Sequence, residues 1–250
     1  MEKRKSGGFE MEPKIIQQGA EAVIMLNDNL IIKDRIKKSY RIREIDERIR
    51  RLRTKSETKL LNKASELIDS PKPIFTKEFN QIKMPFIKGK KLSEHLDNFP
   101  LKKQKQICKQ IGRDIAKLHN ANIIHGDLTT SNMILVEKGV PAHLSSQMDK
   151  NTSNKKFKRS SLTKSGTEPL ISERSEPIIY FIDFGLGFIS HKFEDRAVDI
   201  HLLRQALEAK HFKNWGALFE QVIRGYKTSK DADKTLNQLI KVEKRGRYKH

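Results

Sequence analysis

From residue 14 onward the apolar positions come in three short runs, Lys14 to Gln18, Ala22 to Leu26 and Leu30 to Ile36, each the length of a strand. Asn27, Asp28 and Asn29 supply hairpin turn chemistry between the last two, so the pattern predicts an antiparallel meander. Proline and glycine then vanish from Tyr40 to Ile68. Ile45, Ile49, Leu52, Leu60, Leu61, Ala64, Leu67 and Ile68 recur at three and four spacings, which predicts one helix, or two that meet near Thr54. Pro71 and Pro73 close this block, and Ile74 to Phe79 and Ile82 to Ile87 read as two more strands before Gly89.

Beyond Gly89 the pattern turns helical. Ser93 can cap a short helix, and Leu101 to Asn120 carries Ile107, Ile111, Ile115 and Leu118 along one stripe. A loop from Ile123 to Asp127 leads to a short strand ending at Val136, and a second apolar strand, Ile178 to Ile182, arrives much later. Between them, residues 145 to 175 hold eleven serines or threonines and seven lysines or arginines, with no apolar period. A disordered insertion spanning 142–176 is expected there. Three helical patterns complete the chain: Val198 to Ala209, Asn214 to Tyr226 and Asp231 to Val242. The segments expected are a flexible arm over 1–13, an N-terminal lobe over 14–88, a C-terminal lobe over 89–240 and a basic tail over 241–250.

Composition changes the picture in two ways. Of the 250 residues 33% are charged, against a usual share of about 25%, and 51 lysines and arginines outweigh 31 acids to give +20. That surplus makes an acidic partner, nucleic acid first, the leading expectation. The single cysteine, Cys108, excludes an intramolecular disulfide framework and a zinc site built on several cysteines. No apolar run approaches a membrane span, and Met1 to Gly8 leads into no signal-peptide stretch. A soluble, intracellular, cytoplasmic protein is therefore expected; Lys3-Arg4-Lys5 is the only hint of nuclear import.

Chemistry concentrates at two places. His125-Gly-Asp127-Leu-Thr-Thr-Ser-Asn132 and Ile182-Asp183-Phe184-Gly185 each come after an apolar element and offer carboxylate or amide oxygen. Such oxygens suit magnesium, which is held by one or two side chains together with nucleotide phosphates. Asp127 and Asn132 have the spacing of a kinase catalytic loop, in which the carboxylate receives a hydroxyl proton or orients water and the amide oxygen meets the metal. Asp183 takes the other face of the metal-phosphate unit. Lys33, on the third strand, is placed to bind phosphate, although eleven of residues 33 to 55 are Lys or Arg. Glu57 is preferred as its ion-pair partner; the rival is a capping box, Thr54-x-x-Glu57, in which the glutamate satisfies a helix-terminal N–H. His125 is read as a packing and hydrogen-bonding residue of the loop.

The whole chain resembles the eukaryotic-type protein-kinase fold in minimal form: α+β, two-lobed, with a small antiparallel-sheet N-lobe and a mostly helical C-lobe. The run from Lys33 to Arg43, then Arg53-Thr-Lys-Ser-Glu57-Thr-Lys-Leu-Leu, HGDLTTSN, IDFGLGFIS and EDRAVDIHLLRQAL are similar to the Bud-thirty-two family, the atypical serine/threonine kinase and ATPase subunit of the KEOPS (EKC) complex. The resemblance implies Mg-ATP as cofactor, a Kae-type catalytic subunit and other KEOPS subunits as partners, and support for threonylcarbamoyladenosine formation on tRNA, with no membrane role. It also implies a hinge at Met84-Pro85-Phe86-Ile87 that reads adenine through one backbone C=O and one N–H two residues later. Pro85 lacks only an N–H, so proline is compatible with the first position.

Departures from ordinary protein kinases sharpen the expectation. The loop over the phosphates, Gln17 to Ala22, has one glycine, Gly19, where three are usual. Gly126 stands where an arginine usually senses a phosphorylated activation loop, and Thr129 where a lysine usually neutralises the transferred group. Phe193 stands only ten positions after Asp183 and A-P-E is absent. Efficient phosphorylation of protein substrates is thereby put in doubt, while ATP hydrolysis and autophosphorylation are left open. A small-molecule phosphotransferase shares the H-G-D-x-x-x-x-N loop but normally adds an acidic or aromatic pocket between its last helices. A nucleotide-binding scaffold fits poorly with a chain that retains Lys33, Asp127, Asn132 and Asp183 together. The basic runs Lys33 to Lys55 and Lys241 to Lys249 are expected to meet tRNA phosphate within an assembled complex.

Overall fold

Three strands, β1 (Lys14–Gln18), β2 (Ala22–Asn27) and β3 (Leu30–Arg35), form the expected meander, and β4 (Gln81–Pro85) adds to the edge of β3 in the order β1-β2-β3-β4. All pairs are antiparallel. Asp28 turns the β2–β3 hairpin with a left-handed φ of 53°, a conformation aspartate tolerates better than most residues. The computed structural model describes residues 13–136 and 176–246. Residues 1–12 of the expected arm, most of the expected insertion 142–176 and residues 247–250 lie outside them.

One helix, α1 (Arg43–Ser65), packs against this sheet at β3 and β4. The apolar pattern left open a break near Thr54, but no proline or glycine interrupts the i to i+4 ladder there, and Thr54, Glu57, Leu60, Leu61 and Ala64 make a single buried stripe. The strand expected over Ile74 to Phe79 does not form. Ile74 makes one bridge to Lys83, its N–H donating to the Lys83 carbonyl at 2.7 Å, and then Ile74 and Phe75 stand exposed. Pro73 has no N–H to extend that ladder, and a turn closed by Gln81 N–H on Glu78 C=O comes directly after.

Beyond the hinge come β5 (Lys90–Lys91), α2 (Leu92–His95), α3 (Leu101–Asn120), β6 (Ile123–Ile124), β7 (Met133–Val136), β8 (Ile178–Phe181) and β9 (Phe188–Ile189). Ser93 falls inside α2, whose N-cap is Lys91, and caps nothing. The helices α4 (Phe193–Lys210), α5 (Trp215–Tyr226) and α6 (Ala232–Gly246) complete the lobe. Helix α4 starts ahead of the expected Val198 because its first turns bury Arg196 and Asp199, charges that hide the apolar period. Helix α6 runs past the expected end at Val242. Part of the expected tail is therefore helical, and Arg245 makes a surface ion pair with Glu194 at 2.5 Å.

Ile107, Ile111, Ile115 and Leu118 are all buried, as the stripe on α3 requires, and they meet Leu218, Val222 and Tyr226 of α5. The backbones of these two helices approach so closely that a Cβ on Gly112 would lie 2.0 Å from the Val222 carbonyl oxygen. One apolar cluster runs from Leu60, Ile82 and Met84 in the upper lobe through Phe181 and Phe184 to Leu203 and Leu239 in the lower. Continuous burial of this kind fixes the two lobes against each other and sets the cleft between them. Cys108 sits inside that cluster, where burial pushes its thiol up to about 12, leaving it protonated and inert.

Candidate functional site

Residues two apart on a strand leave it on the same face, so Lys33 and Arg35 both point from β3 toward α1. There they meet one carboxylate. Lys33 Nζ donates to Glu57 Oε1 at 2.7 Å and Arg35 Nη2 to Glu57 Oε2 at 2.5 Å, with all three side chains buried. Thr54 lies well within α1, so Glu57 has no helix terminus to satisfy and the capping-box rival falls away.

Lys33 Nζ makes a second short contact, 2.7 Å to Asp183 Oδ1, across the cleft. Asp183 adopts a left-handed φ of 61°, and its Oδ1 also accepts the Gly185 N–H at 3.1 Å. Aspartate tolerates that region, and the left-handed turn aims the carboxylate at Lys33. Burial alone would draw the Lys33 ammonium toward neutrality; the carboxylates of Glu57 and Asp183 outweigh it and hold its pKa above the ordinary lysine value. Burial likewise opposes charge on Asp183, and Lys33 with the Gly185 N–H holds that carboxyl below its ordinary value.

The second group lies on the loop after β6. Asn132 Nδ2 donates both to the backbone oxygen of Asp127 and to its Oδ2, each at 2.9 Å. This fork fixes the Asp127 side chain and leaves Asn132 Oδ1 without a hydrogen bond among the described residues. Pairing of β7 with β8, continued by the Ile182 N–H on Asn132 C=O at 3.0 Å, sets Asp183 beside the loop. His125 ties the two segments together. Its Nε2 contacts the Ile182 carbonyl at 3.1 Å and its Nδ1 the Asp127 N–H at 3.3 Å, a pair of contacts satisfied by the neutral tautomer protonated on Nε2. Its ring also packs on Phe184 with centroids 4.5 Å apart, so it is the packing and bonding residue expected.

Beneath the loop lies a residue that motif reading did not single out. The Asp199 carboxylate accepts the His125 N–H at 2.8 Å and the Gly126 N–H at 2.9 Å, and His119 Nε2 contacts it at 3.3 Å. Its burial opposes ionisation, but the donors from His119 and His125 hold its pKa below the ordinary aspartate value. The signal was present: Asp199 stands four residues before Leu203 and eight before Leu207, a core position at helical spacing occupied by a carboxylate. Arg35 was missed as well, and its signal was the strand period from Lys33.

Gly126 has φ 78°, and a Cβ there would lie 2.3 Å from the Leu186 carbonyl oxygen. No other residue fits this backbone, so the arginine that ordinary kinases carry at this point is sterically excluded. The remaining expected residues are held less tightly. Gly19 closes the β1–β2 turn through its N–H on Ala22 C=O at 3.0 Å, and a side chain there would meet only that oxygen, at 3.7 Å. Nothing steric demands glycine. Met84 is buried on β4 and Ile87 lies just beyond its end; the intervening Phe86 N–H is spent on Asn29 C=O at 2.8 Å.

Lys33 and Glu57 thus meet Asp183 across the cleft, and Asp127 and Asn132 lie on the loop adjoining Asp183. The oxygens left for a metal are Asn132 Oδ1 and the outer oxygen of the half-exposed Asp183. Among the described residues no cluster of three or more His, Cys, Asp or Glu could cage an ion. Two protein oxygens, with phosphate and water for the rest, fit magnesium and do not fit zinc.

With this geometry in place, the likeness to known proteins is specific. The family model described as RIO domain matches residues 22–158. The KEOPS complex subunit Bud32 of Pyrococcus abyssi is 35% identical, over 94% of this chain and 96% of that protein. A protein of Archaeoglobus fulgidus named "Probable serine/threonine-protein kinase BUD32 homolog" is 32% identical over 92% of this chain and 94% of its own length. A Methanobrevibacter smithii protein named "Probable bifunctional tRNA threonylcarbamoyladenosine biosynthesis protein" is 34% identical over 97% of this chain, which spans only 38% of that larger protein.

Proposed function

The chain belongs to the RIO-domain family and, within it, to the Bud32 group, and from that premise we propose that it is an atypical Mg-ATP-dependent serine/threonine kinase and ATPase acting as the kinase subunit of a KEOPS-type assembly. In that assembly it supports threonylcarbamoyladenosine modification of tRNA beside a Kae-type catalytic subunit. The observation that carries this reading is the single Lys33 ammonium placed 2.7 Å from both Glu57 and Asp183, one strand away from the Asp127–Asn132 pair.

Each residue has a derivable task. Lys33 binds the phosphates, and because its pKa is held high it stays cationic throughout. Glu57 keeps that ammonium in the cleft. Asp183 and Asn132 are the oxygens that would hold magnesium, which supplies charge neutralisation on the transferring phosphoryl group when bound. Asp127, with Oδ2 fixed by Asn132, has its other oxygen to take the proton of a serine, threonine or water nucleophile. The Pro85 carbonyl and Ile87 N–H are the adenine contacts proposed at the hinge, since Phe86 N–H is already spent on Asn29. Gly19 covers the phosphates loosely.

The reading favours turnover gated by a partner over peptide phosphorylation in the ordinary manner, because the segment from Gly185 to Lys192 is short and folded into β9 against β6. The test is incubation of the purified chain with labelled ATP, alone and with a Kae-type subunit, while free phosphate, protein-bound phosphate and modified tRNA are measured in parallel. Slow hydrolysis alone, changed in rate and partition by the partner, is expected. Failure to bind or turn over ATP in either condition overturns the reading.

A further inference from the structure

Helix α1 keeps its charges in two different ways. Arg43, Arg50 and Arg53 are matched, to Glu47, Asp46 and Glu21. On another face Arg51, Lys55, Lys59 and Lys63 recur every four residues, all exposed, and none has a carboxylate within ion-pair reach among the described residues. At 1.5 Å per residue this row is about 18 Å long. It forms one wall of a groove of about 730 Å³ whose other wall is Pro73, Ile74, Phe75 and Phe79. Phe75 is 86% exposed, and the Arg51 guanidinium lies 4.9 Å from the centre of the Phe79 ring. Two carboxylates, Glu66 and Glu78, also line the groove without pairing to the row. Thr54, another of the lining residues, is 6% exposed, and its buried Oγ1 has no hydrogen-bond partner.

Four unmatched cations in a row repel one another, and a polyanion relieves that repulsion. A large aromatic ring presented to solvent beside them offers a stacking surface. An acidic peptide also matches the row, but peptides anchor by burying their own side chains in enclosed pockets. Here the protein's own ring stands out from the surface. We propose that the groove between α1 and residues 73–79 binds an unpaired stretch of RNA, with successive phosphates on Arg51, Lys55, Lys59 and Lys63 and a base stacked on Phe75. The proposal deepens the tRNA part of the function above and rests on it. Lys55 lies about 200° around the helix from Glu57, so RNA bound here leaves the nucleotide site free.

The test uses the full chain and a fluorescein-labelled single-stranded 12-nucleotide RNA, with anisotropy measured at several salt concentrations. Lys55→Gln/Lys59→Gln/Lys63→Gln should weaken binding at least tenfold at low salt and flatten the log–log salt slope by about 2, since each phosphate contact on a single strand contributes about 0.7. Phe75→Ala should weaken binding about tenfold with the slope unchanged, because stacking involves no counterion. All four positions are exposed, so melting temperature should hold. Wild-type affinity in both variants overturns the proposal. So does a slope change in the triple variant with no effect of Phe75→Ala and equal affinity for duplex RNA, which means diffuse electrostatics only. Tighter binding of a Glu- and Phe-rich peptide that displaces the RNA makes the groove a protein site and overturns it too. ATP turnover by the same preparations separates the outcomes: loss of RNA binding with turnover intact removes the groove assignment alone, whereas absent turnover removes the kinase reading.

Discussion

Arg35 holds Glu57 Oε2 at 2.5 Å while Lys33 holds Oε1 at 2.7 Å, so the glutamate of α1 is gripped by two cations from the same strand. Lys33 is shared with Asp183 and must also serve the phosphates. Arg35 has no second carboxylate among the described residues, and it therefore keeps α1 seated when Lys33 turns to its ligand.

Substituting the two cations should separate their roles. Lys33→Met should abolish ATP turnover at modest cost in stability, because Glu57 remains paired to Arg35. Arg35→Met leaves Glu57 dependent on a shared lysine and should cost about 3 kcal/mol, the range for breaking a buried ion pair. Denaturant unfolding of both variants checks this; equal losses of stability contradict it.

Asp183→Ala removes a half-exposed side chain with no core packing, so the fold should survive while turnover falls by at least a hundredfold. Asp127→Ala should lose turnover comparably yet still bind nucleotide. Kinetics with a nucleotide-binding titration and circular dichroism decide between these outcomes and simple unfolding.

Gly126→Ala forces a Cβ against the Leu186 carbonyl at a positive φ, and should destabilise the protein by roughly 3 kcal/mol and disturb the Asp127 loop. Because an arginine cannot occupy this position, phosphorylation of the segment after Asp183 has no sensor. Phosphatase-treated protein should turn over ATP at the untreated rate. A collapse reversed by rephosphorylation contradicts this.

Asp199 is a buried carboxylate whose folded pKa lies below its ordinary value, so its contribution to stability is present above about pH 4 and is lost as pH falls through the folded value. Asp199→Asn should lower melting temperature at pH 7 by an amount corresponding to about 3 kcal/mol. The difference from wild type should narrow as pH falls below about 4, the ordinary carboxyl range in which the unfolded chain takes up its proton first. Calorimetry across pH 3–7 measures the convergence; a constant difference means that the charge of Asp199 is not what matters.

Sequence alone determined the local elements and the chemical alphabet. The turn at Asp28, the stripe Ile107, Ile111, Ile115 and Leu118, and the spacing from Asp127 to Asn132 arise from periods and dihedral preferences that act within a few residues. The likeness carried by HGDLTTSN and EDRAVD was legible too, and the relatives bear out that family. Only the tertiary structure decided between a capping box and an ion pair for Glu57, because the answer depended on where α1 begins and on a strand two dozen residues away. It placed Asp199 under the catalytic loop through a contact 74 residues long in sequence. It also denied Ile74 to Phe79 its strand, since whether an apolar run pairs depends on a free partner edge and on N–H groups that Pro73 does not offer. Local pattern encodes what a segment can become; burial and partner geometry, supplied by the rest of the chain, choose among those possibilities.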